Sequence, residues 1–296
     1  MANNYILSCC STCDLSLNKI KELELEYIPF HFYLDNKEYL DNFGSSLSYD
    51  DFYSALDKGV STKTSQVTVN EYLEYFDKFL SLGKDILHVS FSSGLSGSYN
   101  SAMIAKNQLA EKYPGRKIYI VDSLCASSGY GLLMQILSTK KKEGMDIEQL
   151  NSYAENIKLN IQHWFFSTDL KYYIRGGRVS KVSGFIGTLL HICPVLNVND
   201  EGKLIPREKI LSATIAIQQV AKKVELFKEP DIKEDFPIFI SHSNCNKFAQ
   251  NIKNTLISKY KKKEENIEIF PVGTTIGSHT GPGTLALFFV GKKRTA

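Results

Sequence analysis

The chain has 296 residues, 43% of them apolar, and a formal net charge of +3. That length predicts one large or two ordinary domains with a substantial core, and so small a charge excludes a protein that holds nucleic acid by charge alone. The lysine runs at 140–142 and 261–263 close helical patterns beside Glu and read as solvated helix ends, and no apolar run reaches membrane-spanning length.

In chain order, Met1-Ala2-Asn3-Asn4 lacks the charged and apolar segments of a secretion signal, so a cytoplasmic protein is expected. Residues 5–8 read as a first strand and 27–32 as a second, with Pro29 marking an edge or a strand end. Three of six cysteines, Cys9, Cys10 and Cys13, follow the first strand, whereas Cys125, Cys193 and Cys245 are scattered. Cys10-Ser11-Thr12-Cys13 has redox spacing, but Leu15-Ser16-Leu17-Asn18 starts a helix poorly and no second pair completes a zinc site. Free thiols and no metal are the expectation.

Residues 49–56 and 72–82 have helical spacing, the second preceded by Asn70 as a candidate N-cap, with a polar loop at 62–66 between them. The buried strand 86–89 then runs into Ser90-Phe91-Ser92-Ser93-Gly94-Leu95-Ser96-Gly97-Ser98, after which helical spacing resumes at Tyr99. Free N–H groups at such a helix start, glycines and hydroxyls suit an anion. They are also ordinary turn residues. A nucleophile elbow needs glycine two positions either side of its serine, and Gly94-Leu95-Ser96-Gly97-Ser98 misses the second.

Residues 117–123 form another strand, followed by helices at 129–140 and 147–159. Alternating strands and helices predict a parallel sheet covered on both faces, an α/β/α domain over 1–160. The rhythm then changes. A strand at 164–167 leads to Arg175-Gly176-Gly177-Arg178, and 194–199 with 204–206 read as a hairpin around 200–203. Helices at 213–227 and 246–260 alternate with strands at 237–240 and 267–270, before a glycine-rich loop at 273–283 and a last strand. The second domain, 161–296, is expected to be a two-layer α/β unit with a mixed sheet.

Thr64-Ser65-Gln66, the serine-rich turn, Arg175-Gly176-Gly177-Arg178, Pro194-Val195-Leu196 and Ile276-Gly277-Ser278-His279-Thr280-Gly281-Pro282-Gly283, in this order, resemble the DegV family. Ile28-Pro29, Tyr39-Leu40-Asp41 and Asp122-Ser123 extend the resemblance over nearly the whole chain. It implies two α/β domains with a long-chain fatty acid buried between or within them, no cofactor, and a separate ATP-dependent kinase of the dihydroxyacetone-kinase type that phosphorylates the bound carboxylate. Carried over by motif, the carboxylate ligands are Thr64, Ser96 and His279, with Arg178 nearby and Ser65, Ser93 and Gly97 adjoining. The choice between Ser93 and Ser96 stays open, and Thr64 as a mere turn residue and Arg178 as an interdomain ion-pair partner remain alternatives.

Two departures bear on this. Cys10-Ser11 stands where the family commonly has Asp-Ser, and Lys209-Ile210-Leu211-Ser212 is less basic than the family's usual sequence after the hairpin. A fatty acid carrier is the leading expectation. A serine-dependent acyl ester hydrolase is the alternative, and a redox protein the third class.

Overall fold

The computed structural model describes residues 4–179, 193–232 and 235–296, so Met1, Ala2 and Asn3 of the N-terminal reading lie outside the described residues. The first part of the chain holds β1 (Tyr5–Cys10), α1 (Leu17–Glu22), β2 (Glu26–Ile28), β3 (Phe30–Leu34), β4 (Lys37–Asp41), α2 (Tyr49–Asp57), β5 (Thr62–Ser65), α3 (Val69–Leu80), β6 (Asp85–Ser90), α4 (Ser98–Lys112), β7 (Ile118–Asp122), α5 (Ser127–Lys142) and α6 (Ile147–Ile157). The second holds β8 (Ile161–Ser167), α7 (Lys171–Arg175), β9 (Cys193–Val198), β10 (Leu204–Ile210), α8 (Ala213–Leu226), β11 (Ile238–His242), α9 (Asn246–Tyr260), β12 (Ile267–Pro271), α10 (Thr274–Thr280) and β13 (Thr284–Val290).

A four-stranded sheet in the order β2-β1-β6-β7 is parallel throughout. β1 is buried along its whole length and β6 along nearly all of it, as strands are when helices cover both faces. The chain leaves β1 toward one edge and β6 toward the other, so the strand order reverses between them. The carboxyl ends at such a reversal are where open α/β sheets hold ligands. The serine-rich turn leaves β6 at that place.

The second sheet has six strands in the order β10-β9-β8-β13-β11-β12, antiparallel except for the β11/β12 pair. Alternation divides its residues. Trp164, Phe166, Leu285 and Leu287 share a buried cluster with Val220 of α8 and Ile252 of α9. Phe165, Ala286 and Phe288, one position out of step, join Leu7, Ile86 and Val121 of the parallel sheet in a single core. Helix α5 packs on β8, β11 and β13 of the six-stranded sheet as well as on α6.

A third sheet, β4-β3-β5, is small and antiparallel. It explains two differences from the sequence reading. The strand at 27–32 is two strands in two sheets, because Pro29 between them has no N–H to continue either ladder. The polar loop at 62–66 contains β5, whose Thr64 lies opposite Phe32 of β3. Helix α3 begins earlier than its apolar spacing suggests. Its cap is Thr68, in a reciprocal capping box with Glu71, and Asn70 lies inside the helix. The glycine-rich loop likewise contains α10, which Gly277 lets approach α2: a Cβ there would stand 2.7 Å from the Tyr53 hydroxyl.

Candidate ligand-binding site

On β5, Thr62 and Thr64 share one face because side chains alternate along a strand. Thr62 Oγ1 lies 2.7 Å from Ser278 Oγ, and Thr64 Oγ1 2.7 Å from His279 Nε2, so two contacts stitch the strand to α10. Among the described residues His279 Nδ1 has no hydrogen-bond partner. Behind it stands Gly176, where a Cβ would lie 2.4 Å from Nδ1. That residue has an ordinary φ of −72°, so close approach of the imidazole, not backbone conformation, requires glycine. Burial, reinforced by Arg178 and Arg175 nearby, lowers the pKa of His279 to about 4. The ring is therefore neutral near pH 7 and serves as a hydrogen-bonding group.

The serine-rich turn faces this pair. Ser96 Oγ accepts the N–H of Ser98 at 3.2 Å in the first turn of α4, which leaves its own O–H proton available to donate. Ser92 is buried and bonds the hairpin turn instead, through the carbonyl of Gly202. Ser93 is exposed, and its N–H donates to Asp122 Oδ1 at 3.1 Å. Of the two candidate serines, Ser96 lines the cavity and Ser93 is not among its lining residues. Arg178 also reaches the cavity mouth, with Nε directed at the carbonyl of Leu95 and Nη1 at that of Gly176. It brings a positive charge without forming a fork around one oxygen pair.

Below the mouth lies a cavity of about 390 Å³, within the range of small-ligand sites. Thr64, Ser65, Gln66, Ser96, Gly97, Arg178 and His279 all line it. Its remaining wall is largely apolar and comes from the two sheets that contain antiparallel strands: Phe30 from β3, and Phe165 from β8, Val198 from β9, and Ala286 and Phe288 from β13. β13 pairs Phe288 with His163 and Ala286 with Phe165, which sets these four on one face.

The deeper polar groups are mostly committed to the protein. His163 Nδ1 donates to the carbonyl of Ile161 at 2.9 Å, and Nε2 accepts from Ala126 N–H at 3.2 Å. Burial holds its pKa well below the usual value. Tyr173 OH lies 3.0 Å from Thr284 Oγ1, and Ser127 Oγ donates to Asp14 Oδ2 at 2.5 Å. Among the described residues no cluster of His, Cys, Asp or Glu could hold a metal ion. Chemically, the arrangement offers neutral donors and one cation at the end of an apolar chamber, which suits a long apolar molecule with a single anionic head.

For an acyl hydrolase, the nucleophile must hydrogen-bond a base that is itself oriented by a third group. Among the described residues no hydrogen bond joins Ser96 to His279, and the far nitrogen of the imidazole has no partner. Sequence reasoning missed the walls of the cavity and the roles of Gly176 and Gln66. The aromatic walls carry no distinguishing signal, being identical in type to core residues.

A family model described as "Uncharacterised protein, DegV family" matches residues 10–292. A DegV domain-containing protein of Clostridium perfringens, CPE0026, is 37% identical over 287 residues, covering 97% of each chain. Among solved structures, the fatty acid binding DegV family protein SAG1342 of Streptococcus agalactiae superposes with a TM-score of 0.84 at 25% identity, covering 98% of this chain and 99% of that one. The fatty acid kinase B3 protein of Streptococcus pneumoniae, loaded with linoleic acid, gives a TM-score of 0.82 at 21% identity over 97% of this chain and 99% of its own.

Proposed function

The chain belongs to the DegV family, and we propose that it binds a long-chain fatty acid with the acyl chain in the apolar cavity and the carboxylate among Thr64, Ser96 and His279. The observation that carries this reading is that Thr64, Ser96 and His279, from three separate segments, line one largely apolar cavity, with Thr64 and His279 in contact. The Streptococcus agalactiae relative, described as fatty acid binding, supports it. Ser65 and Gly97 complete the rim, and Arg178 supplies the positive charge.

We propose further that the protein is a carrier that presents the bound acid, in the cytoplasm, to an ATP-dependent kinase. The fatty acid kinase B3 protein of similar fold supports that part of the reading. The chemistry agrees with it: a carboxylate that must accept a phosphoryl group needs one oxygen open to in-line attack, and hydroxyl donors leave it more accessible than a bidentate guanidinium would. The acyl chain would provide the affinity, at about 0.8 kcal/mol gross for each buried methylene. Among the described residues no helix is long and apolar enough to cross a membrane.

The test is native mass spectrometry of protein purified without added lipid, followed by titration with palmitate and with hexadecanol. A co-purifying fatty acid and tighter binding of the acid support the reading. Equal binding of acid and alcohol would place the carboxylate elsewhere.

A further inference from the structure

Gln66 follows β5 directly, two residues after Thr64, and reaches the start of α4. Its Nε2 donates to Ser101 Oγ at 3.1 Å, in the early part of α4. The same amide packs flat on the serine turn: a Cβ built on Gly97 would stand 2.5 Å from Oε1, 3.1 Å from Nε2 and 3.2 Å from Cδ of Gln66. Gly97 has φ −76° and ψ 2°, a conformation open to any residue. The three heavy atoms nearest to that Cβ all belong to the Gln66 amide. The glycine is thus explained by the glutamine.

These contacts matter because the polar groups at the mouth come from elements that share no ladder. Thr64 belongs to the small antiparallel sheet and bonds α10, whereas Ser96 belongs to the turn after β6. The Gln66 side chain spans from one to the other. We infer that Gln66 is a positioning residue for the head group, a strut that sets the separation between Thr64 and Ser96 and so confers the preference for a carboxylate. The inference rests on the fatty acid reading above. Misplacing donors at a polar site weakens recognition of the group they hold, while an apolar tail in its own chamber is unaffected.

The experiment compares palmitate and hexadecanol binding to the full chain and to Gln66→Ala, Gly97→Ala and the double variant, with thermal unfolding as a control. Loss of one oriented contact is expected to weaken palmitate binding about five- to tenfold in Gln66→Ala and leave hexadecanol unchanged. Gly97→Ala should do the same, because an added methyl displaces a flexible amide instead of breaking the backbone. The double variant should be no worse than either single one, since both remove the same strut. An unchanged ratio of acid to alcohol affinity in Gln66→Ala, or effects that add in the double variant, would overturn the inference. Should the unmutated protein itself fail to prefer the acid, the fatty acid carboxylate reading fails at its base.

Discussion

Ser92 Oγ donates a 2.9 Å hydrogen bond to the carbonyl of Gly202, fastening the turn after β6 to the hairpin turn between β9 and β10. The same hydroxyl accepts the N–H of Gly94 at 3.2 Å. Gly202 has φ +71°, and a Cβ there would stand 2.1 Å from Ser92 Oγ, so both conformation and contact require glycine. Ser92→Ala should lower unfolding stability by about 1–3 kcal/mol, the penalty for a buried carbonyl left unpaired. Gly202→Ala should cost at least as much. Urea unfolding measures both, and an unchanged midpoint for either would show that the hairpin turn is not held this way.

How far such relationships could be read from the sequence depends on what each element uses to hold its place. The parallel sheet and the helices on it announce themselves through apolar periodicity, because burial on both faces demands it. β5 does not. Thr62-Lys63-Thr64-Ser65 has no apolar residue, since the face that would carry one is turned to α10 and bonded through hydroxyls. α10 was hidden by Gly273, Gly277, Gly281 and Gly283, residues that mark loops in composition but here allow close packing. The loops that line the cavity are legible as motifs. The cavity is not, because Phe165 and Phe288 differ from core residues only in facing an empty volume. Cys10, at the end of β1, stands where an acid is expected, and the loop that follows does contain a carboxylate: Asp14 is buried there against Ser127.

The thiols of Cys9 and Cys10 at the end of β1 and of Cys13 just beyond it should be inert. Cys9 Sγ and Cys13 Sγ lie 3.9 Å apart, and Cys10 Sγ lies 3.4 Å from the Tyr72 hydroxyl. Hydrogen bonding to Cys13 and burial push the Cys9 thiol well up, and burial raises that of Cys10. None of the three lines the cavity. Maleimide labelling of the native protein at neutral pH should be slow, and a Cys10→Ser, Cys13→Ser protein should bind palmitate within a few-fold of the parent. A loss beyond about tenfold would give the thiols a role in the site.

Two buried groups should make stability respond to pH in opposite directions. Burial lowers the pKa of His88 to about 3, so the unfolded chain binds its proton more readily. Its contribution is present above the ordinary value of about 6.5 and lost as pH falls toward 3. Burial, partly offset by the Ser127 hydroxyl and supplemented by Asp41, holds the Asp14 carboxyl well above its usual value. That contribution is present at low pH, below about 3.9, and lost as pH rises through the folded value. His88→Gln should flatten the acid side of a melting temperature profile, and Asp14→Asn the decline toward neutral pH. Profiles parallel to that of the parent would refute both assignments.

Ester turnover should be absent from the protein alone. His279 Nε2 is engaged with Thr64, Ser96 Oγ with the Ser98 N–H, and among the described residues no oriented acid stands behind His279. A p-nitrophenyl palmitate assay should give no steady rate near the about 1–10³ per second typical of enzymes. A steady rate that vanishes in Ser96→Ala would revive the hydrolase.

The three head-group residues should separate binding from reaction. If Thr64, Ser96 and His279 hold one carboxylate, removing any one of them should cost about 0.5–3 kcal/mol, a weakening of roughly two- to hundredfold. Binding should survive in each single variant, because the apolar term of the tail is larger than one hydrogen bond. Phosphorylation by a partner kinase should fall further than affinity does. In-line transfer depends on the angle at which the acceptor oxygen is presented, and a misplacement of about 1 Å can lower a rate about a hundredfold. Thr64→Ala carries a second effect, since it also frees His279 Nε2 from its 2.7 Å contact. It should therefore impair transfer more than Ser96→Ala, whose lost bond to Ser98 N–H lies at the start of a helix that other contacts hold. Measuring palmitate affinity and acyl phosphate formation for Thr64→Ala, Ser96→Ala and His279→Ala decides the matter. Proportional losses in both quantities for all three would mean that these residues bind the acid without orienting it.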